Sequence, residues 1–263
     1  MRRVNVTTDE QVAEPAEDAQ TLTEHLSELR TRIIRAALAV LIGMVVIIAL
    51  YDQVLEFLKQ PYVDLCASKS EEFCDPNLFI TSPTEGLSTR IRVGMYGGLI
   101  VALPVILWQI WRFVVPALHA KEKKYAIPFV VSSIVLFAAG GALAYITVGR
   151  ALEFLIGWAG EDVGELFTVS SYISLIGLMI FAFGVGFLLP VLFVFLQLVN
   201  VVTPRTLLKS WRYATIGVFI LAAVITPSGD PVTLMMLALP MLFLYFVAIF
   251  IGFLVLRKRP EEA

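Results

Sequence analysis

The long apolar runs of this chain have no ionisable side chain in their middles. Charged residues of both signs make up only 16% of the 263 residues, against 58% hydrophobic ones, and mean hydropathy is +0.82. A soluble domain of this length would carry a far more charged surface, so a soluble fold is excluded. The chain has only two cysteines, Cys66 and Cys74, and two histidines, His25 and His119. Structural zinc wants four ligands, and neither histidine lies near the two cysteines of the outer loop, so no zinc site is expected there. No nucleophile elbow or phosphate-binding loop is present, and no catalytic constellation emerges. Without carboxylates deep in the runs there is no relay of the kind a proton-coupled carrier uses. Residues 1–20 are polar and acidic with no apolar core, which is not the pattern of a cleavable signal peptide. The first apolar run is therefore expected to act as its own insertion signal.

Six continuous apolar runs are present: Ile33–Tyr51, Val93–Trp111, Tyr125–Val148, Tyr172–Val199, Tyr213–Ile225 and Val232–Leu256. In hydrocarbon every backbone polar group must be paired internally, and continuous rather than alternating apolarity selects helices over a barrel. The expected fold is an all-α integral membrane protein with six transmembrane helices. With the N-terminus inside, 15 of the 20 Lys and Arg residues fall in inside segments, which puts both termini in the cytoplasm. Residues 1–20 read as a disordered cytoplasmic tail, 21–256 as the membrane domain and 257–263 as a cytoplasmic C-terminal tail. Thr21–Arg32 reads as a short helix that runs into span one and lies at the membrane surface, and Leu152, Phe154, Leu155 and Trp158 as part of another on the outer side. Trp108, Trp111, Trp211, Tyr125, Tyr172 and Tyr213 stand at run ends, where an aromatic belt would place them. Pro104, Pro128, Pro190 and Pro240 lie in or at the ends of spans and bend them, which suits a concave scaffold. The fifth run has only 13 residues. Either it thins the bilayer or its helix continues through Lys209 or Asp230.

The first outer loop holds Cys66 and Cys74, eight residues apart, and both a disulfide and two free thiols are open. Two cytoplasmic carboxylates remain as candidates. Glu28 lies in His25-Leu26-Ser27-Glu28-Leu29-Arg30-Thr31-Arg32, and Glu122 lies among Lys121, Lys123 and Lys124. Read locally, Glu28 pairs with Arg32 one helical turn on, and Glu122 is neutralised by its lysines.

The stretch His25–Arg32 resembles the HLxELRxR signature ahead of the first span of the TatC family, the six-span receptor subunit of the twin-arginine protein translocase. Ser82-Pro83-Thr84-Glu85-Gly86 resembles the family's SPxE motif before span two. Pro104 to Leu118, with Gln109, Trp111, Phe113 and Pro116, resembles its P-x-x-x-x-Q-x-W-x-F-x-x-P-x-L block, followed by an acid at Glu122. Phe181–Pro190 resembles the FxFGxxFxxP block, and Thr226-Pro227, Asp230 and Leu237–Pro240 match the end of span five and the start of span six. The resemblance covers residues 22–256. It implies a receptor, not an enzyme, that takes no cofactor and binds the signal peptides of folded export substrates at its cytoplasmic face. Transport would be driven by the proton-motive force, with single-span TatA- and TatB-type partners in an oligomeric complex of the bacterial plasma membrane. By the same resemblance Glu28 and Glu122 receive the peptide's arginines, with Phe113, His25 and Arg30 around them. A planar guanidinium wants a carboxylate partner, and two acids would read an Arg-Arg pair better than one. In two positions the chain departs from the family: Leu188 and Phe246 stand where glutamates are usual, the first being a contact for a partner's polar residue within the membrane.

A small-solute secondary transporter is the alternative. It would show an internal repeat and midplane polar groups, and neither is clear here. An intramembrane hydrolase would need partners that Ser132, Ser133 and Ser174 lack in the sequence.

Overall fold

The computed structural model describes residues 22–68, 78–114, 126–159, 168–226 and 229–257. Within them the chain forms eight helices: α1 (Leu22–Ala49), α2 (Tyr51–Ser68), α3 (Glu85–Val114), α4 (Ala126–Ala159), α5 (Val169–Leu198), α6 (Pro204–Lys209), α7 (Trp211–Ile225) and α8 (Pro231–Arg257). Five of them, α1, α3, α4, α5 and α8, are long and apolar enough to cross a membrane, and α7 is a shorter apolar helix. These six correspond to the six runs. The two proposed tails lie outside the described residues, apart from Arg257.

Close approaches between helices fix the topology. A side chain at Gly43 would meet the Gly98 carbonyl at 2.8 Å, and one at Gly94 would meet Ile48 at 2.7 Å, so α1 and α3 run antiparallel. Gly140 against the Phe183 carbonyl and Gly184 against the Phe137 ring, each at 2.5 Å, make α4 and α5 antiparallel as well. By contrast, Gln197 Nε2 donates to Ala248 O at 3.1 Å while Gly186 faces Met241, so α5 and α8 are parallel. Tyr96 against Gly177 and Trp111 against Phe195 likewise make α3 and α5 parallel. One end of the bundle therefore gathers the start of α1, the ends of α3, α5 and α8, and the starts of α4 and α7.

Small residues allow this packing. Without water to drive helices together, association in lipid rests on close backbone approach. Gly98 is the tightest case between α1 and α3, because a Cβ there would stand 2.6 Å from Met44 N. The core runs through α3, α4, α5 and α8 and includes Ile176, Met179, Phe183, Leu237 and Met241. Between α2, α3, α4 and α5 lies an apolar cavity of about 520 Å³, lined by Phe57, Tyr96, Ile100, Phe137 and Gly141 among others. Pro104, Pro190 and Pro240 stand inside α3, α5 and α8, and each removes one bond from its helix ladder.

Several local expectations are revised. The signature segment does run into the first span, as the first turns of α1, a single helix of 28 residues, rather than as a helix lying along the surface. At ~1.5 Å per residue it spans about 42 Å, more than the ~30 Å hydrocarbon layer, so its first turns project beyond the span. The outer loop after it is in large part a helix, α2. The outer surface helix expected around Leu152–Trp158 is the continuation of α4, which is 34 residues long, and Leu152 is fully buried there. Trp111 and Tyr172 do not belong to a lipid-facing belt: they are only 2% and 1% exposed. Tyr172 Oη donates to Leu58 O at 2.6 Å, so it ties α5 to α2. Tyr213, at 80% exposed, does face outward. The fifth run stays short. Ser210 separates α6 from α7, and Thr226 and the left-handed Gly229 (φ 61°) end it before Asp230.

Asp230 is buried and caps α8. Its Oδ1 accepts from Thr233 N at 2.7 Å, its Oδ2 accepts from Thr233 Oγ1, and Pro231 fills the first helical position. Asp230→Ala should cost about 1–2 kcal/mol, the usual loss for an N-cap. Thermal unfolding in detergent measures it, and Asp230→Asn should recover most of the loss.

Candidate functional site

The acidic residue of the Ser82–Gly86 motif acts within the fold. The first residue of α3, Glu85, accepts from Thr81 N at 2.7 Å and from Ser170 N at 3.2 Å. It thereby joins the start of α3 to the start of α5, beside the single parallel bridge between Phe79 and Thr168. This end of the bundle also carries Arg92, which donates to Ser174 Oγ and Ser170 O, and Arg90, which sits over the Tyr51 ring at 4.7 Å. Among the described residues, Glu85, Arg90 and Arg92 at this end are engaged in joining elements together.

The opposite end is different. Glu28 lies on the second turn of α1, and its Oε1 accepts a hydrogen bond from Arg32 Nη2 in an ion pair one turn apart. The local pairing offered by the sequence is therefore present. It is not a solvated surface pair: the two side chains are 10% (Arg32) and 27% (Glu28) exposed. It is also incomplete. Glu28 Oε2, Arg32 Nε and Arg32 Nη1 are buried without a hydrogen-bond partner. A full fork would use two parallel N–H···O bonds, and here one is made.

The antiparallel register of α1 and α3, continued toward this end, sets Glu28 level with Phe113 and Arg32 level with Gln109. Phe113 is half-buried, and Gln109 Oε1 is buried without a partner. Behind them Trp111 stacks on Phe129 at 4.6 Å and meets Phe195 edge-on at 5.2 Å, so one ring cluster locks the ends of α3, α4 and α5. Trp111 Nε1 also lacks a partner. Arg30 is exposed on the other face of α1. His25 is on the first turn of α1, with its side chain outside the described residues, and Glu122 lies wholly outside them. Sequence reasoning passed over Arg32 as a member of this site, and Gln109 and Trp111 as buried polar groups at the same end of α3. Arg32 was legible from its i,i+4 spacing to Glu28, and the other two stand in the quoted Pro104–Leu118 block.

Leu188 packs beside Leu103, Leu107, Trp111, Val130 and Phe137. A glutamate there would be set against this apolar cluster. Phe246 is partly exposed beside the Tyr245 ring. Cys66 is buried in the last turn of α2, and no described cysteine is a free thiol; Cys74 lies outside the described residues. Among the described residues no cluster of three or more His, Cys, Asp or Glu could hold a metal ion.

The fold and this site define a multi-pass, all-helical membrane protein with a half-filled carboxylate–guanidinium site at one end of the bundle. The profile of the Sec-independent protein translocase protein (TatC) family matches residues 24–240, and the chain belongs to that family. It is 38% identical to the TatC protein of Frankia casuarinae over 89% of this chain, which spans 65% of that longer protein. It is 37% identical to the TatC protein of Aquifex aeolicus over 91% of this chain and 98% of that protein. The fold is similar to two crystal structures of the twin-arginine translocase receptor TatC. One is 36% identical with a TM-score of 0.72, covering 89% of this chain and all of the other. The second, in detergent, is 37% identical with the same TM-score, over 87% of this chain and 99% of the other. The protein is thus a bacterial-type translocase component and not an enzyme, and the solute-transporter alternative falls away.

Proposed function

We propose that this chain is the receptor of a twin-arginine translocase. It binds Arg-Arg signal peptides of folded proteins at the cytoplasmic face of the bacterial plasma membrane, for export driven by the proton-motive force. Glu28 takes one guanidinium and Glu122 the other, with Phe113, His25 and Arg30 shaping the approach. Both termini are cytoplasmic in this reading, which the distribution of Lys and Arg supports. Single-span TatA- and TatB-type subunits complete the complex. With Leu188 in place of an acid, partner docking near it is apolar. We further propose that Cys66 and Cys74 pair on the outer side, where thiols oxidise.

The observation that carries this reading is the Glu28 carboxylate. It is part-buried, already committed to guanidinium chemistry, and keeps Oε2 unfilled. Arg rather than Lys matches such a site, because its planar fork serves two acceptor oxygens while an ammonium acts as a point charge. The test is titration of the purified protein in lipid nanodiscs with a labelled twin-arginine peptide and its Lys-Lys version. Lys-Lys should bind roughly ten- to a hundredfold more weakly, the scale of one lost charge-assisted hydrogen bond. Glu122→Gln should weaken the Arg-Arg peptide by a similar factor. Equal binding of the two peptides would sink the receptor reading, and unchanged binding by Glu122→Gln would remove Glu122 from the site.

A further inference from the structure

We infer that Arg32 is a specificity-determining residue of the signal-peptide site: an internal guanidinium that occupies Glu28 at rest and is exchanged for an arginine of the incoming peptide. The inference rests on the reading of Glu28 as the peptide's acceptor. Three observations support it. The pair has Glu N-terminal to Arg at i,i+4, the favoured helical order, so it forms from α1 alone. The pair is largely withdrawn from solvent, and an emptied carboxylate in such surroundings would carry an uncompensated desolvation cost. An occupant is therefore needed whenever no peptide is bound. The hold is also single-pronged, with Glu28 Oε2, Arg32 Nε and Arg32 Nη1 all unpartnered, so the internal guanidinium is seated less firmly than a full fork would be.

Exchange of one guanidinium for another conserves charge and hydrogen-bond type. The displaced Arg32 finds an acceptor at its own level on α3, where Gln109 Oε1 accepts from nothing. A peptide without arginine must displace the same competitor with a poorer ligand. Apparent affinity is the intrinsic affinity reduced by the fraction of sites open, so the internal ligand lowers binding of every peptide and rejects the weak ones below threshold.

The test is titration of the full chain in nanodiscs with Arg-Arg and Lys-Lys peptides, comparing wild type, Arg32→Gln, Arg32→Lys and Glu28→Gln. Arg32→Gln should bind both the Arg-Arg and the Lys-Lys peptide roughly three- to tenfold more tightly, so that the weaker Lys-Lys peptide is brought closer to the binding threshold. Arg32→Lys should fall between it and wild type, and it keeps a cation at the site if the glutamine variant does not fold. Arg-Arg binding that is unchanged or weaker in the Arg32 variants, with Glu28→Gln losing it, overturns the exchange while leaving Glu28 as acceptor. Wild-type binding by Glu28→Gln overturns the acceptor reading itself.

Discussion

Replacing Gly98 with leucine should pull α1 away from α3 and leave the protein poorly folded. The clash is with backbone, not with the tip of a flexible side chain: a Cβ at this position meets Met44 N at 2.6 Å, Met44 Cα at 2.8 Å and Val40 O at 3.0 Å. Backbone in the middle of two packed helices cannot give by that much without the helices parting. Overpacking costs about 1–3 kcal/mol where side chains can shift, and this site belongs at or beyond the upper end. The measurement is thermal aggregation of the detergent-purified variants. Gly217→Ala is the control, since nothing lies within 4 Å of a Cβ there, and it should fold as wild type. Gly98→Leu unfolding at the wild-type temperature would show that α1 does not pack as described. Loss of this contact matters for function because the α1–α3 register is what sets Glu28 level with Phe113.

Substitution of Glu28 by alanine should have the largest effect on binding. It removes the acceptor of a charge-assisted hydrogen bond, worth about 1.5–3 kcal/mol, and leaves Arg32 as a buried cation without its partner. The proposed site then repels the peptide it is meant to hold. Affinity for a twin-arginine peptide should fall by roughly a hundredfold, and export of a twin-arginine substrate should fall with it. Glu28→Asp should recover little, because the shortened side chain moves the carboxylate back toward the α1 backbone. Peptide titration alongside an export assay checks both. Binding within a factor of three of wild type would place the acceptor elsewhere.

What could be read from the sequence follows from how local each feature is. The number and order of the apolar helices depend on run length alone: each of the six runs is a helix, five of them long enough to cross a membrane and the fifth run short. Pairing of Glu28 with Arg32 depends only on helical spacing, and it too is present. Features that depend on a neighbouring helix were misread. Trp111 and Tyr172 stand at run ends, but an aromatic ring fits an interface and a core equally well, and packing against Phe129 and Phe195 or against α2 decides for the core. The apolar residues Leu152, Phe154, Leu155 and Trp158 suit a surface helix as well as the extension of α4 into the outer region that the structure shows. No proline intervenes and Gly149 is carried within the helix, which runs on with Val148, Ala151 and Leu152 buried in the same core cluster as Tyr62 and Leu65 of α2. Gly98 and the Gln197–Gly252 contact between α5 and α8 were likewise out of reach, since a glycine in an apolar run does not say what approaches it. The carboxylate of Glu85 was quoted as a family motif, and its work is structural: it joins the starts of α3 and α5.

The most direct test of an arginine-reading receptor at this end of the bundle is site-specific photocrosslinking in native membranes. A photoreactive residue is placed at Leu26, which is 63% exposed and two residues before Glu28 at the same end of the bundle, or at Ile80, which is 62% exposed at the opposite end. A twin-arginine signal peptide should label from Leu26 and not from Ile80, and the labelling should disappear with the Lys-Lys peptide. Labelling from Ile80, or labelling from Leu26 that ignores the change to Lys-Lys, would contradict it.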